Sequence, residues 1–138
     1  MRALVLDSQG LSLLAREHRG AAFERAQAYL IAALESGSPV VVPTVVLVEQ
    51  YRGRPQDAAI DLFLSRHRKA LVTVDLDQKL ARACGRMLAD HGLGSESLAD
   101  AAVVAAAARY GSAIILTSDF DDIDLLASGF SLIDVVRL

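Results

Sequence analysis

Apolar residues recur along this chain in two spacings. Short unbroken runs of four or five predict buried strands, and longer stretches with every third or fourth position apolar predict helices. Ala3 to Asp7 is a run closed by a carboxylate, and Leu11, Leu13 and Leu14 predict a short helix after it. From Ala21 to Leu34 the positions Phe23, Ala26, Leu30 and Ala33/Leu34 share one helical face, with Gly37 as terminator. Val40 to Val42, bracketed by Pro39 and Pro43, predict a very short central strand, and Thr44 is placed to cap a helix running through Glu49 to Tyr51. Gly53 and Pro55 end it. A helix over Gln56 to Ser65, a strand over Leu71 to Val74 and a long helix from a cap at Asp75 to His91 follow. Ser97 or its neighbour opens an alanine-rich helix to about Tyr110, Ala113 to Thr117 make a fourth strand, a short helix covers Asp122 to Ser128, and Phe130 to Val136 supply a last strand. Alternating strands and helices predict an α/β fold in which one short, mainly parallel central sheet is covered on both faces. No repeat, linker or low-complexity tract divides residues 1–138, so one domain is expected.

Composition sharpens this picture. Hydrophobic residues make up 53% of the 138 positions but aromatics only 5%, with no Trp, which suits helices packed on a Val/Leu/Ile sheet and argues against a large β-sandwich. The opening apolar stretch is broken at Asp7, too early for a secretory core, and no apolar run reaches the roughly 20 residues of a membrane span. Cys84 stands alone, so neither an internal disulfide nor a cysteine-built zinc site is available. These features place the chain in the cytoplasm. A net charge of −3 argues against binding nucleic acid through an overall field, but less against a nuclease, because clustered carboxylates invert their local charge on taking up divalent cations.

The carboxylates carry the functional signal. In a parallel sheet, ligands bind where the loops at the carboxyl ends of the strands converge. Asp7 ends the first strand and Asp119 lies just past AIILT. Glu49 shares a helix face with Val45 and Val46, and Asp100 shares one with Val103, Val104 and Ala107, so both acids are expected on apolar faces. Taken singly, Asp7 could be bonded to backbone amides, Glu49 could pair with Arg52, Asp100 could answer a helix dipole and Asp119 could be turn chemistry. Together they require a compensating charge, and a hard divalent cation prefers oxygen ligands.

Other chemistries fit less well. His18, His67 and His91 fall on or near polar helix faces without metalloprotease or triad spacing, and no phosphate-binding Gly-rich loop is present. Cys84 lies on the stripe Leu80, Cys84, Met87, Leu88 and reads as a small buried hydrophobe. Arg52, Arg54, Arg66, Arg68 and Lys69 are candidates for contact with an RNA backbone, Arg52 foremost because it lies one turn beyond Glu49.

The segments VLDSQGL, PTVVLVEQYRG, SLADAAVVAAAARYG and IILTSDFDDI, in this order, resemble the PIN-domain family, in particular VapC-like toxin ribonucleases, from Leu4 to about Leu126. The resemblance implies a three-layer α/β/α sandwich. It matches Asp7, Glu49, Asp100 and Asp119 to the family's acidic quartet, with Asp122 as a possible fifth acid. Ser8 corresponds to the small hydroxyl residue after the first acid, and Thr117 or Ser118 to the one before the late acid; Gln9 and Gly10 depart from the usual pattern. One or two Mg²⁺ ions, with Mn²⁺ as substitute, would be held by Asp7, Asp100 and Asp119, joined in the fullest set by Glu49 and Asp122, for hydrolysis of RNA phosphodiesters. A VapB-like antitoxin and a homodimer are implied as partners. Two other readings are a PIN-fold RNA- or protein-binding module without turnover, and an aspartate-dependent phosphatase of the haloacid dehalogenase kind. The phosphatase would want a second acid where Gln9 stands.

Overall fold

Five short strands lie side by side in the order β3-β2-β1-β4-β5, every pairing parallel, so each connection must cross over the sheet and carry a helix with it. The computed structural model describes residues 2–138; Met1, part of the sequence's first stretch and of the expected single domain, lies outside them. In chain order the elements are β1 (Ala3–Leu6), α1 (Ser8–Ala15), α2 (Ala21–Ser36), β2 (Val40–Pro43), α3 (Thr44–Gln50), α4 (Gln56–Arg66), β3 (Leu71–Val74), α5 (Gln78–Asp90), a 3₁₀ turn (Ser95–Ser97), α6 (Leu98–Ala108), β4 (Ala113–Thr117), α7 (Phe120–Ala127) and β5 (Ile133–Arg137). Packing groups α1 with α2 and α4 on one side, and α5 with α6 and α7 on the other, which makes the three-layer α/β/α sandwich. The sheet is parallel throughout, not just mainly so.

The central strands β1 and β2 are buried along their whole length, the burial that continuous apolar runs predict for strands covered on both faces. Gly37 closes α2 in the left-handed conformation (φ 71°), where its N–H reaches the carbonyls of Ala33 and Leu34. Seven consecutive residues of α6, Ala101–Ala107, are buried, because this helix is enclosed by α5, α7, α3 and three strands.

Two expected caps move. Asp77, not Asp75, starts α5: its Oδ1 accepts the Leu80 N–H at 2.8 Å, a reach that the third residue of the first turn allows and an acid two positions earlier does not. Thr44 is the first residue of α3 and does not cap it; Pro43 holds the cap position without a side-chain bond, and the Thr44 hydroxyl faces the Val74 carbonyl at 3.4 Å. The last helix starts earlier than expected, at Phe120, and the last strand starts later, at Ile133, because residues 128–132 form the turn between them. Among the described residues no helix is long and apolar enough to cross a membrane.

Candidate metal centre

Three chain segments arrive at the carboxyl edge of the sheet within a few residues of each other. Leu6 is in register with Leu116, so Asp7 and Thr117 emerge side by side, while α3 and the first turn of α6 close over them from β2 and from the far layer. Asp7, Glu49, Asp100 and Asp119 all line one pocket of about 170 Å³, together with Ser8, Gln9, Val46, Ala99 and Val103.

Asp7 is the buried member, 6% exposed, and caps α1: its Oδ1 accepts the Gly10 N–H at 2.8 Å. Burial raises its pKa above the ordinary carboxyl value, against the lowering effect of hydrogen bonds from the Thr117 hydroxyl and the Gly10 and Gln9 amides; the Asp119 charge adds to the rise. A Cβ at Gly10 would lie 3.3 Å from the Leu116 carbonyl oxygen and 3.5 Å from Asp7 Oδ1, a tight contact that glycine avoids where α1 packs on β4. The sequence marks Gly10 only as a departure from the family pattern, and its role becomes visible through the β1–β4 register.

Asp100, in the first turn of α6, is half-buried and its pKa is pushed up to about 7, first by burial, then by the charge and hydrogen-bonding proximity of Asp119, and further by Asp122 and Asp7. Asp119 sits at the N-terminal end of α7, where its N–H donates to Thr117 Oγ1 at 2.8 Å. The fully buried Thr117 side chain thus touches both late and early acids. Asp122, one turn into α7, is exposed, and its pKa is raised chiefly by the Asp119 charge. Carboxylate oxygens of Asp100, Asp119 and Asp122 lie within 4.8 Å of one another. The tightest cluster is therefore this triad, with Asp7 below it and Glu49 across the pocket.

Glu49 corrects one expectation. It is exposed, not held against an apolar face, because only Val46 of the seven-residue α3 is fully buried and the last turn clears the core. Its Oε1 accepts a hydrogen bond from the Ser8 hydroxyl. Ser118 is exposed, so Thr117 is the hydroxyl residue that faces the acids.

Arg52 does not reach toward the acids as expected. Its Nη1 donates to the carbonyls of Val48 (2.6 Å) and Tyr51 (2.7 Å), closing the end of α3. Arg66, Arg68 and Lys69 precede β3 and so lie at the amino edge, opposite the acids, where they line a separate cleft with Leu34 and Leu62. None of the three histidines lines the acidic pocket. His67 packs edge-on to Phe63, 4.8 Å between ring centres, and burial lowers its pKa. Cys84 is 1% exposed and burial pushes its thiol pKa up.

Among the described residues no Lys, Arg or His pairs with Asp7, Glu49, Asp100, Asp119 or Asp122; the ion pairs present are Arg2–Asp134, Arg109–Asp77 and Arg137–Asp121. An all-oxygen donor set with mutual repulsion and no protein counter-charge fits a hard divalent cation.

No curated relative matches the chain by sequence. Two solved structures share its fold: VapBC2 from Rickettsia felis bound to a DNA fragment from its promoter (15% identity, TM-score 0.64, 98% of each chain covered), and FitAB bound to an IR36 DNA fragment (16% identity, TM-score 0.65, covering 97% of this chain and 94% of the other). The PIN domain family matches residues 5–127, a span that opens two residues before Asp7, takes in every acid of the pocket and closes at the end of α7, and the chain belongs to that family.

Proposed function

We propose that the chain is a metal-dependent endoribonuclease acting as the toxin of a VapBC-like pair, with Asp7, Glu49, Asp100 and Asp119 as its catalytic acids. The observation that carries this reading is the unpaired carboxylate cluster at the sheet edge, three of whose members lie within 4.8 Å. Asp100, Asp119 and Asp7 would hold Mg²⁺ or Mn²⁺, with Asp122 and Glu49 as further oxygen donors. A bound cation supplies Lewis-acid polarisation of a phosphoryl oxygen and lowers the pKa of water.

The chain's own residues supply position and proton handling. Asp7 accepts the Gly10 N–H at its Oδ1 beside the Thr117 hydroxyl, which orients its carboxylate before the substrate arrives. Asp119 is tied by its own amide to the same Thr117 hydroxyl, which keeps early and late acids in one geometry. Glu49 lies across the pocket, bonded to Ser8 and exposed, and is the acid placed to take a proton from water on the open side. Asp100, with a pKa of about 7, keeps a share of its proton at neutral pH until positive charge arrives.

Chains of the VapBC2 and FitAB structures share this fold, which supports an antitoxin as protein partner; a cytoplasmic setting is part of the same proposal. Val48 (68% exposed) and Leu62 (57% exposed) stand open on the adjoining α3 and α4, apolar surface suited to a second protein chain, the antitoxin or a homodimer partner. The deciding experiment incubates total cellular RNA with the purified chain and Mg²⁺ or Mn²⁺, maps the cut ends, and repeats it with EDTA and with Asp100→Asn. Cleavage that depends on metal and is lost in the variant is expected. Cleavage that survives both would overturn the assignment, and absence of cleavage by the unaltered chain would favour a PIN-fold binding module.

A further inference from the structure

Beside the acids, on the β5 side, the sheet edge carries a cation and an aromatic ring that the fold does not need for its core. Arg137 is in register with Thr117, and Phe120 follows Asp119 directly, so both stand at the carboxyl edge next to the acidic pocket. The Arg137 guanidinium lies over the Phe120 ring, 4.5 Å from its centre. Its side chain is 59% exposed, and its one ion contact, to the still more open Asp121, is 3.6 Å long, beyond hydrogen-bonding distance. Arg25 donates from Nη1 to the Arg137 carbonyl at 2.7 Å, which pins the end of β5 and brings a second guanidinium to the same edge.

Five other arginines are placed elsewhere. Arg2 bonds Ser112, the Ala113 carbonyl and Asp134; Arg109 pairs with Asp77; Arg52 closes α3; Arg66 and Arg68 lie at the opposite edge. Arg137 therefore offers unfilled planar donors on the strand edge beside Thr117, which precedes Asp119 by two residues, already held over an aromatic ring, which reduces the freedom it would lose on contacting a ligand.

We infer that Arg137 and Phe120 form a nucleotide subsite that stacks a base, and contacts the adjoining phosphate, of single-stranded RNA next to the bond that is cut; this rests on the ribonuclease reading above. A base can stack on a guanidinium plane or an aromatic ring only when it is free of its helix, so the subsite selects unpaired RNA over duplex. Phosphate displaces the loose Asp121 contact, a single approach of 3.6 Å, by engaging the fork with two oxygens at hydrogen-bonding distance. The polyanion also needs a cation where it approaches an acidic cluster, and Arg137 supplies one on the side away from α3.

Binding is measured by fluorescence anisotropy with a short labelled single-stranded RNA, in the Asp100→Asn background so that the probe is not cut. Arg137→Gln should weaken binding roughly 5- to 50-fold and reduce the slope of log affinity against log salt by about 0.7, one phosphate contact on a single strand. Arg137→Lys should recover the salt slope but only part of the affinity, because charge returns without the stacking plane. Phe120→Leu keeps the bulk under Arg137 and should weaken binding several-fold at unchanged slope. Arg68→Gln, at the far edge, should alter neither. Thermal melts confirm that each variant is folded. If the unaltered chain cuts RNA while Arg137→Gln binds the probe with undiminished affinity and slope, the subsite is overturned and the ribonuclease reading stands. If the unaltered chain neither cuts nor binds RNA, both fall.

Discussion

Replacing Asp100 with Asn should make the metal-free protein more stable at alkaline pH, the reverse of what removing a half-buried, hydrogen-bonded residue usually does. Asp100 is held from 3.8 up to about 7 by burial and by Asp119, Asp122 and Asp7. A carboxyl raised in the folded state leaves the folded protein the stronger proton binder, so stability falls as pH climbs from about 4 to about 7, and the whole deficit is present above that. At 1.36 kcal/mol per tenfold change in protonation, the displacement corresponds to ~4 kcal/mol. Asp100 is only half-buried, and water screens much of this interaction, so ~1–2 kcal/mol is expected in a stability measurement. For a chain of this length that is about 3–8 °C in melting temperature. Melting curves in EDTA at pH 4 and pH 8 should show the variant and the wild type close together at pH 4 and the variant higher at pH 8. Saturating Mg²⁺ or Mn²⁺ should reverse the order at pH 8, since ligand at a hundred times its Kd adds about 2.7 kcal/mol to the form that binds it. A variant that melts at or below the wild type at pH 8 in EDTA would show that the acids do not repel one another as described.

Three further outcomes follow from individual contacts. Divalent cation should raise the melting temperature of the wild type and do much less for Asp7→Asn, read by the same melts; equal shifts in both proteins would remove Asp7 from the metal set. Gly10→Ala, which puts a methyl group 3.3 Å from the Leu116 carbonyl, should cost about 1–3 kcal/mol in denaturant unfolding, and calorimetric titration should show weaker Mn²⁺ binding as Asp7 is pushed aside. Asp77→Ala should lower the melting temperature at pH 7. Because the Leu80 amide and then Arg109 hold the Asp77 pKa below its ordinary value, that contribution is present above the unfolded carboxyl range and is lost as pH falls through the folded value, so the two proteins should draw together as pH falls below the ordinary carboxyl value.

Strand positions were legible where burial on two faces leaves a continuous apolar signature, as at Ala113–Thr117; the edge strand Leu71–Val74 also falls on the residues the pattern selects, although only Val74 of it is buried. Helix starts were less legible, since Asp75 and Asp77 are equally good caps by type and only the path of the chain after β3 decides between them. The meeting of Asp7 and Asp119 could be anticipated from strand ends. The exposure of Glu49 could not, because three- and four-residue spacing identifies a face but not where a short helix runs out of core to cover it. Arg52 and Arg137 show the same limit for cations: proximity in sequence pointed to Arg52, whereas strand register across the sheet brings Arg137 beside the acids.

The alanine-rich α6 has a consequence for how this protein can fail. Enclosed by α3, α5, α7 and three strands, it has no free side on which to absorb a larger residue, and its first turn carries Asp100. A volume error anywhere from Ala101 to Ala107 is relieved by sliding or tilting the helix, and that motion carries the acid with it. Interior lesions far from the pocket and lesions in the pocket therefore converge on one phenotype. If the chain is the toxin proposed above, escape mutations in a screen for survivors of its expression would accumulate along this helix as readily as at the acids, and many would be heat-sensitive and leave the carboxylates intact.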